Sequence, residues 1–155
     1  MDDIPELIPY RDYFVSFQDE YSLATRKNEV IIQGVQHTLS LTPMTWGSLG
    51  QGILTGKYGK DTCFGKDDRR SRDIYVNFHG DKLLHNLEIV EVLKQIATSI
   101  GHSVAAVAIR FILDYIKESI VLVGIKNARQ LTSNLEAMDF TLTQEQIEQL
   151  LEISK

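Results

Sequence analysis

The run Trp46-Gly47-Ser48-Leu49-Gly50-Gln51-Gly52-Ile53-Leu54-Thr55-Gly56-Lys57-Tyr58 sets a wide aromatic beside closely spaced glycines and closes on a lysine and a tyrosine. An aromatic plate, bare backbone and one cation suit a nucleotide. Glycine lets backbone N–H groups reach phosphate oxygens where a Cβ would intrude, and Lys57 adds a point charge. An ordinary flexible turn is the alternative. A second candidate is Val123-Gly124-Ile125-Lys126-Asn127-Ala128-Arg129-Gln130-Leu131-Thr132-Ser133-Asn134-Leu135, where an apolar run ends and a helix begins. Free N–H groups and the helix dipole at such a junction can meet a phosphate. Taken singly, Gln130 reads equally as an exposed helix residue and Asn134 as a packing or capping one. Between the two lies Asp68-Arg69-Arg70. A guanidinium can grip a phosphate bidentately and stack on adenine, but Lys66, Asp67, Asp68 and Asp73 around the arginines equally describe a solvated, self-pairing charge run.

The elements that must hold these groups alternate in type. Tyr13–Gln18 is short, aromatic and β-branched and reads as a strand. A short helix is expected over Asn28–Gln36, weakened by Gly34 and β-branched neighbours, then a second strand over Thr38–Trp46 with an irregular end at Pro43. Residues 47 to about 80 form a long connection rich in glycine and charge. Leu87, Val90, Leu93, Ile96, Ala97 and Ile100 share one helical face that stops at Gly101. Ser103 caps the next helix, with Val104, Val107, Ala108, Phe111, Ile112 and Tyr115 on its apolar face. Ile120–Val123 has the continuous apolar character of a strand buried on both faces of a parallel sheet. Asn127 caps a further helix lined by Ala128, Leu131, Leu135 and Met138, and Thr143-Gln144-Glu145-Gln146 opens the last one with a capping box. Three strands alternating with helices make an α/β unit with at least one unpaired sheet edge.

The 155 residues allow one domain, 1–155, but fall short of the about 250 that a closed (β/α)8 barrel usually takes. With 43% hydrophobic and 24% charged residues the composition is that of a folded globular body. A formal charge of −5 leaves no basic footprint for nucleic acid, and no segment approaches the roughly 18 apolar residues of a membrane span. The amino end, Met1-Asp2-Asp3-Ile4-Pro5, is acidic where a secretory signal would be basic and then apolar, so a cytoplasmic location is expected. Cys63 stands alone, which rules out an internal disulfide, and reads as a plain structural residue. No Ser/His/Asp, Cys/His or metal-ligand constellation is visible. His37, His79, His85 and His102 read as surface or helix-end residues.

From about Tyr13 to about Leu151 the chain resembles the carboxyl-terminal half of the aldo-keto reductases, (β/α)8-barrel enzymes that reduce carbonyls with NADPH, and most resembles the bacterial and potassium-channel beta-subunit-like branch. Three motifs carry the likeness in the family's order: Gln18-Asp19-Glu20-Tyr21-Ser22-Leu23 with Arg26 and Glu29, the Trp46–Tyr58 loop, and Val123–Leu135. The resemblance implies a partial (β/α)8 TIM barrel, about the last three strands with their helices, and NADP as cofactor. It assigns Gln18 to the nicotinamide carboxamide, Trp46 to the nicotinamide ring, and the Gly47–Gln51 backbone, notably Leu49 and Gln51, to the pyrophosphate. Lys57 stands at the end of that loop, and Arg70 belongs to the adenosine end. Gly124, Lys126, Gln130 and Asn134 match positions for the 2′-phosphate and adenine. The family commonly has Ser-Pro-Leu where Gly47-Ser48-Leu49 stands, which puts a Ser48 hydroxyl contact in doubt. Its catalytic aspartate, tyrosine, lysine and histidine lie on or after its first four strands and have no counterpart here. The expected function is therefore the NADP-binding half of a carbonyl reductase, inactive alone, associating with itself or with a chain that supplies the missing strands. The alternatives are a non-catalytic nucleotide-binding or regulatory module like the channel beta subunits, and a decayed fragment.

Overall fold

The computed structural model describes residues 4–155; the acidic amino end at Met1–Asp3 lies outside the described residues. Three parallel strands, β1 (Ser16–Glu20), β2 (Thr42–Trp46) and β3 (Ile120–Val121), form one sheet in the order β1-β2-β3. β1 and β2 pair from Ser16↔Thr42 to Glu20↔Trp46, and β2 and β3 through Met44↔Ile120 and Thr45↔Val121. A short α1 (Ile4–Leu7) and a 3-10 turn (Ile8–Tyr13) precede the sheet. Helix α2 (Glu29–Leu39) carries β1 across to β2, and α3 (Gly80–Ile100) with α4 (Val104–Tyr115) lies between β2 and β3. Helices α5 (Ala128–Leu135) and α6 (Gln144–Ile153) follow.

The first two strands begin later than the sequence suggests, and the third begins at Ile120 as expected but ends at Val121. Tyr13 belongs to the 3-10 turn, where the fixed φ of Pro9 suits the first positions, and Val15 is 85% exposed. Helix α2 runs through Gly34 to Leu39 because Ile32, Val35 and Leu39 are buried, a gain that outweighs weak propensity, and Ser40 ends it in the left-handed region at φ 54°. The second strand is thereby shortened to Thr42–Trp46. Pro43 lies inside β2 rather than at an irregular end. The Thr42 N–H donates to Val15 O, so the Pro43 nitrogen faces the β3 side, where pairing starts only at Met44.

β3 is not buried on both faces. Val121 and Val123 pack against Ala106, Ile109, Ala137 and Phe140, while Ile120 and Leu122 are 46% and 36% exposed. The same division runs across the sheet. Phe17 packs into the core on one side, and Gln18, Met44 and Ile120 lie in register on the other, which no helix covers among the described residues. Likewise Ala128, Leu131, Leu135 and Met138 do not line an inner side of α5. All four are exposed, because no described element lies against that stripe.

The helices of the carboxyl half follow their local signals. Gly101 ends α3 at φ 74°, Ser103 Oγ accepts from the Ala106 N–H, Asn127 Oδ1 accepts from the Gln130 N–H, and Thr143 with Gln146 forms the reciprocal capping box. Helix α3 packs on the expected stripe of α4, and α4 buries Ala106 and Ile109 beyond it because β3 and the segment around Ala137 lie against that other side. The core joins Tyr21, Leu23, Ile53, Leu54, Leu93, Phe111 and Leu150 from loops and helices alike. Among the described residues no single helix is long and apolar enough to cross a membrane.

Candidate functional site

Parallel strands bring their carboxyl ends to one edge, so Gln18, the loop after Trp46 and the loop after Val121 share that edge of the sheet. This is where open α/β sheets bind ligands. Gln18 lies exposed near the end of β1 on the helix-free face. Trp46, in register with Glu20, ends β2 with 45% of its surface exposed, a plate available to a planar ring.

Beyond Trp46 the backbone turns repeatedly through the left-handed region, at Gly47 (φ 68°), Gly50 (55°), Gln51 (54°), Gly52 (104°) and Gly56 (72°). Gly50 is required by space as well: a Cβ there would stand 2.9 Å from Ile53 Cγ2 and 3.0 Å from Ala24 Cβ. Within the turn Leu49 O accepts from the N–H groups of Gly52 and Leu54. The buried Ser48 hydroxyl makes contacts to Thr45 O (3.3 Å) and Leu122 O (3.1 Å), tying the loops after β2 and β3 together. Its side chain is thus engaged within the fold, leaving backbone as the group this position offers a ligand. The Gln51 side chain accepts from Asn77 Nδ2 at 2.5 Å, and Asn77 is held in turn by the buried Asn86. Lys57 is exposed, its Nζ 5.6 Å from the Tyr58 ring centroid.

Arg70 is anchored. Its guanidinium pairs with Asp68, donates to the Tyr58 hydroxyl, and lies 4.6 Å from the Phe64 ring centroid, 4.9 Å from Tyr58 and 5.8 Å from Phe78. Hydrogen bonds from Arg70 hold the Asp68 carboxyl well below the usual carboxylate range, and the charge of Lys126 adds to the effect. In the loop after β3 Gly124 and Lys126 are exposed, and on α5 Gln130 is exposed and Asn134 half-buried. Gln130 Oε1 accepts from the Lys126 N–H at 2.7 Å, which orders the turn and leaves the lysine ammonium at the surface.

The sequence reading missed the aromatic box of Tyr58, Phe64 and Phe78 under Arg70, although rings recurring through a charged, glycine-rich stretch were a signal for it. It also missed a polar cluster behind the loops. Glu29 accepts from the Tyr21 hydroxyl (2.8 Å), the Tyr115 hydroxyl (2.7 Å) and Arg26 (2.7 and 3.0 Å), and Arg26 also donates to Leu151 O. Burial and Glu29 raise both tyrosines, which suits them to hold the fold and not to give up a proton. Among the described residues no group of three or more His, Cys, Asp and Glu side chains could hold a metal ion.

Residues 9–155 match the family model of the Aldo/keto reductase family. The chain is 34% identical over 124 residues to a probable voltage-gated potassium channel subunit beta of Oryza sativa subsp. japonica, covering 79% of this chain and 38% of that protein. It is 32% identical over 131 residues to the aldo-keto reductase YhdN of Bacillus subtilis (strain 168), covering 84% of this chain and 39% of that one. Among solved structures, the glycerol dehydrogenase AKR11B4 from Gluconobacter oxydans superposes with a TM-score of 0.83 at 28% identity, over 96% of this chain and 46% of that one. The chain spans less than half the length of each of these relatives. With the match running through all three strands and both candidate loops, this chain belongs to the aldo/keto reductase family.

Proposed function

We propose that the chain supplies the NADP-binding surface of an aldo-keto reductase whose whole activity is NADPH-dependent reduction of aldehydes or ketones. The observation that carries this reading is the common placement of Trp46, the Gly47–Gly52 turn with its left-handed Gly47, Gly50, Gln51 and Gly52, and the Lys126 junction at one end of a parallel sheet. These features fit the cofactor's chemistry: a half-exposed aromatic for the nicotinamide, backbone without Cβ for the pyrophosphate, and exposed cations for phosphates. Gln18 would orient the carboxamide. Gly47, Ser48, Leu49 and Gln51 would line the pyrophosphate through backbone, with Lys57 beside them. Arg70, Gly124, Lys126, Gln130 and Asn134 would hold the adenosine end. When bound, the cofactor supplies the hydride chemistry; the residues of this chain bind it and orient it.

Residues 1–155 are read as a single partial barrel domain, the last three strands with their helices. The uncovered row at Gln18, Met44 and Ile120 and the bare stripe of α5 support association with itself or with a chain that completes the sheet. A cytoplasmic setting goes with this reading. The match to a probable channel subunit beta favours one alternative, a nucleotide-binding regulatory module that does not turn over substrate. The deciding experiment is NADPH titration of the chain through quenching of Trp46, its only tryptophan, with an aldehyde turnover assay on the same sample. Saturable quenching without turnover is expected for the chain alone. Absence of any saturable response would remove the cofactor role, and heat-labile turnover would show that catalytic groups are present.

A further inference from the structure

A cavity of about 520 Å³ lies on the β1 side of the Trp46 loop, lined by Arg26, Lys27, Gln51, Asn77, Lys82 and Lys155 among others. Its size is in the range of small-molecule pockets. The chain as a whole carries −5, yet among the described residues this wall sets one acidic side chain, Glu20, against four cationic ones. Two of the four are already matched, Arg26 by Glu29 and Lys155 by Glu152. Lys27 and Lys82 make no ion pair with any described residue.

Lys82 is the telling residue. It is half-buried in the first turn of the 21-residue α3, where the helix dipole opposes a cation, and the N-cap residue His79 contributes no side-chain cap. Burial pushes its ammonium down from the ordinary lysine range. An anion bound beside it would offset that desolvation and the opposing dipole. A donor for a further oxygen of such an anion stands on the same wall in the Thr25 hydroxyl. Lys126 and Gln130, by contrast, lie beyond β3 at the other edge of the sheet.

We infer that this cavity is a second anion site, separate from the Lys126 junction, which takes the phosphate of a small phosphomonoester between Lys82 and Lys27. The cavity meets the proposed cofactor site at Gln51, but Lys82 and Lys27, which would hold the phosphate, are not part of that site. It is tested on the whole chain with inorganic phosphate as the probe, against chloride at equal ionic strength. Lysine acetylation is read by mass spectrometry and thermal stability in parallel. Phosphate should slow acetylation of Lys82 and Lys27 but not of Lys117, which lines a different cavity. Lys82→Gln should lower phosphate affinity about tenfold or more, judged from the rise in Tm with phosphate concentration. Lys82→Arg should retain the response, and so should Lys126→Gln. Equal acetylation of Lys82 with and without phosphate would overturn the site. So would phosphate stabilisation that survives Lys82→Gln and vanishes in Lys126→Gln.

Discussion

Replacing Glu29 by alanine tests whether the polar cluster behind the cofactor loops holds those loops in place. One carboxylate accepts from two tyrosine hydroxyls and a bidentate arginine, joining the segment after β1 to α2, α4 and the end of α6. The pair is only partly exposed, 18% for Arg26 and 16% for Glu29. Exposed pairs contribute about 0–1 kcal/mol, and breaking a fully buried one costs about 3–5, so Glu29→Ala should cost about 3 kcal/mol. Urea denaturation of both proteins measures this at unchanged m-value, and a double-mutant cycle with Arg26→Ala should show coupling of about 2 kcal/mol. Burial opposes ionisation of Glu29, but hydrogen bonds from Arg26, Tyr115 and Tyr21 outweigh it and lower its pKa. Its contribution is therefore full above the ordinary carboxylate range and is lost as pH falls through the depressed folded-state value. Glu29→Gln should accordingly lose less stability on acidification than the wild type. A change below about 1 kcal/mol in Glu29→Ala, or strict additivity in the cycle, would show that the cluster is incidental to the fold.

At the opposite pH extreme, burial and Glu29 raise the Tyr21 phenol, so its contribution persists below the ordinary value of about 10 and is lost as pH rises through the raised one; Tyr21→Phe should flatten the alkaline limb of a stability–pH profile. Gly50→Ala places a Cβ against the fully buried Ile53 and the nearly buried Ala24 at a positive φ, and should cost about 2–4 kcal/mol by denaturation, whereas Gly59→Ala, with open space around it, should stay within about 0.5. Lys126→Ala should weaken NADPH by about ten- to a hundredfold and leave NADH nearly unchanged in the Trp46 titration; equal loss for both would make the lysine structural. Sedimentation should detect association of the chain at micromolar concentration, reduced by Leu135→Lys on the bare stripe of α5, and a cooperative monomer in both proteins would refute an interface there.

What the sequence determined by itself was local. The caps at Ser103, Asn127 and Thr143 and the stop at Gly101 each depend on groups within a few residues, so their chemistry is written in adjacent letters. The faces of α3 and α4 were legible for the same reason, since a 3.6-residue period needs no partner to be seen. The three candidate motifs, at Gln18, after Trp46 and after Val121, were legible in the sequence, and parallel topology brought them to one edge of the sheet. Tertiary structure decided the rest. The extent of α2 was fixed by burial of Val35 and Leu39, against the propensity of Gly34. Arg70 carried the same charge whether solvated, ligand-bound or caged, and only the folded connection put Phe64 and Phe78 beneath it. Tyr115 meets Glu29 across 86 positions, a pairing that no spacing rule encodes. An apolar stripe such as Leu131 and Leu135 records that a helix has a face to cover, but whether anything covers it depends on which elements lie alongside, and that is a property of the packed structure alone.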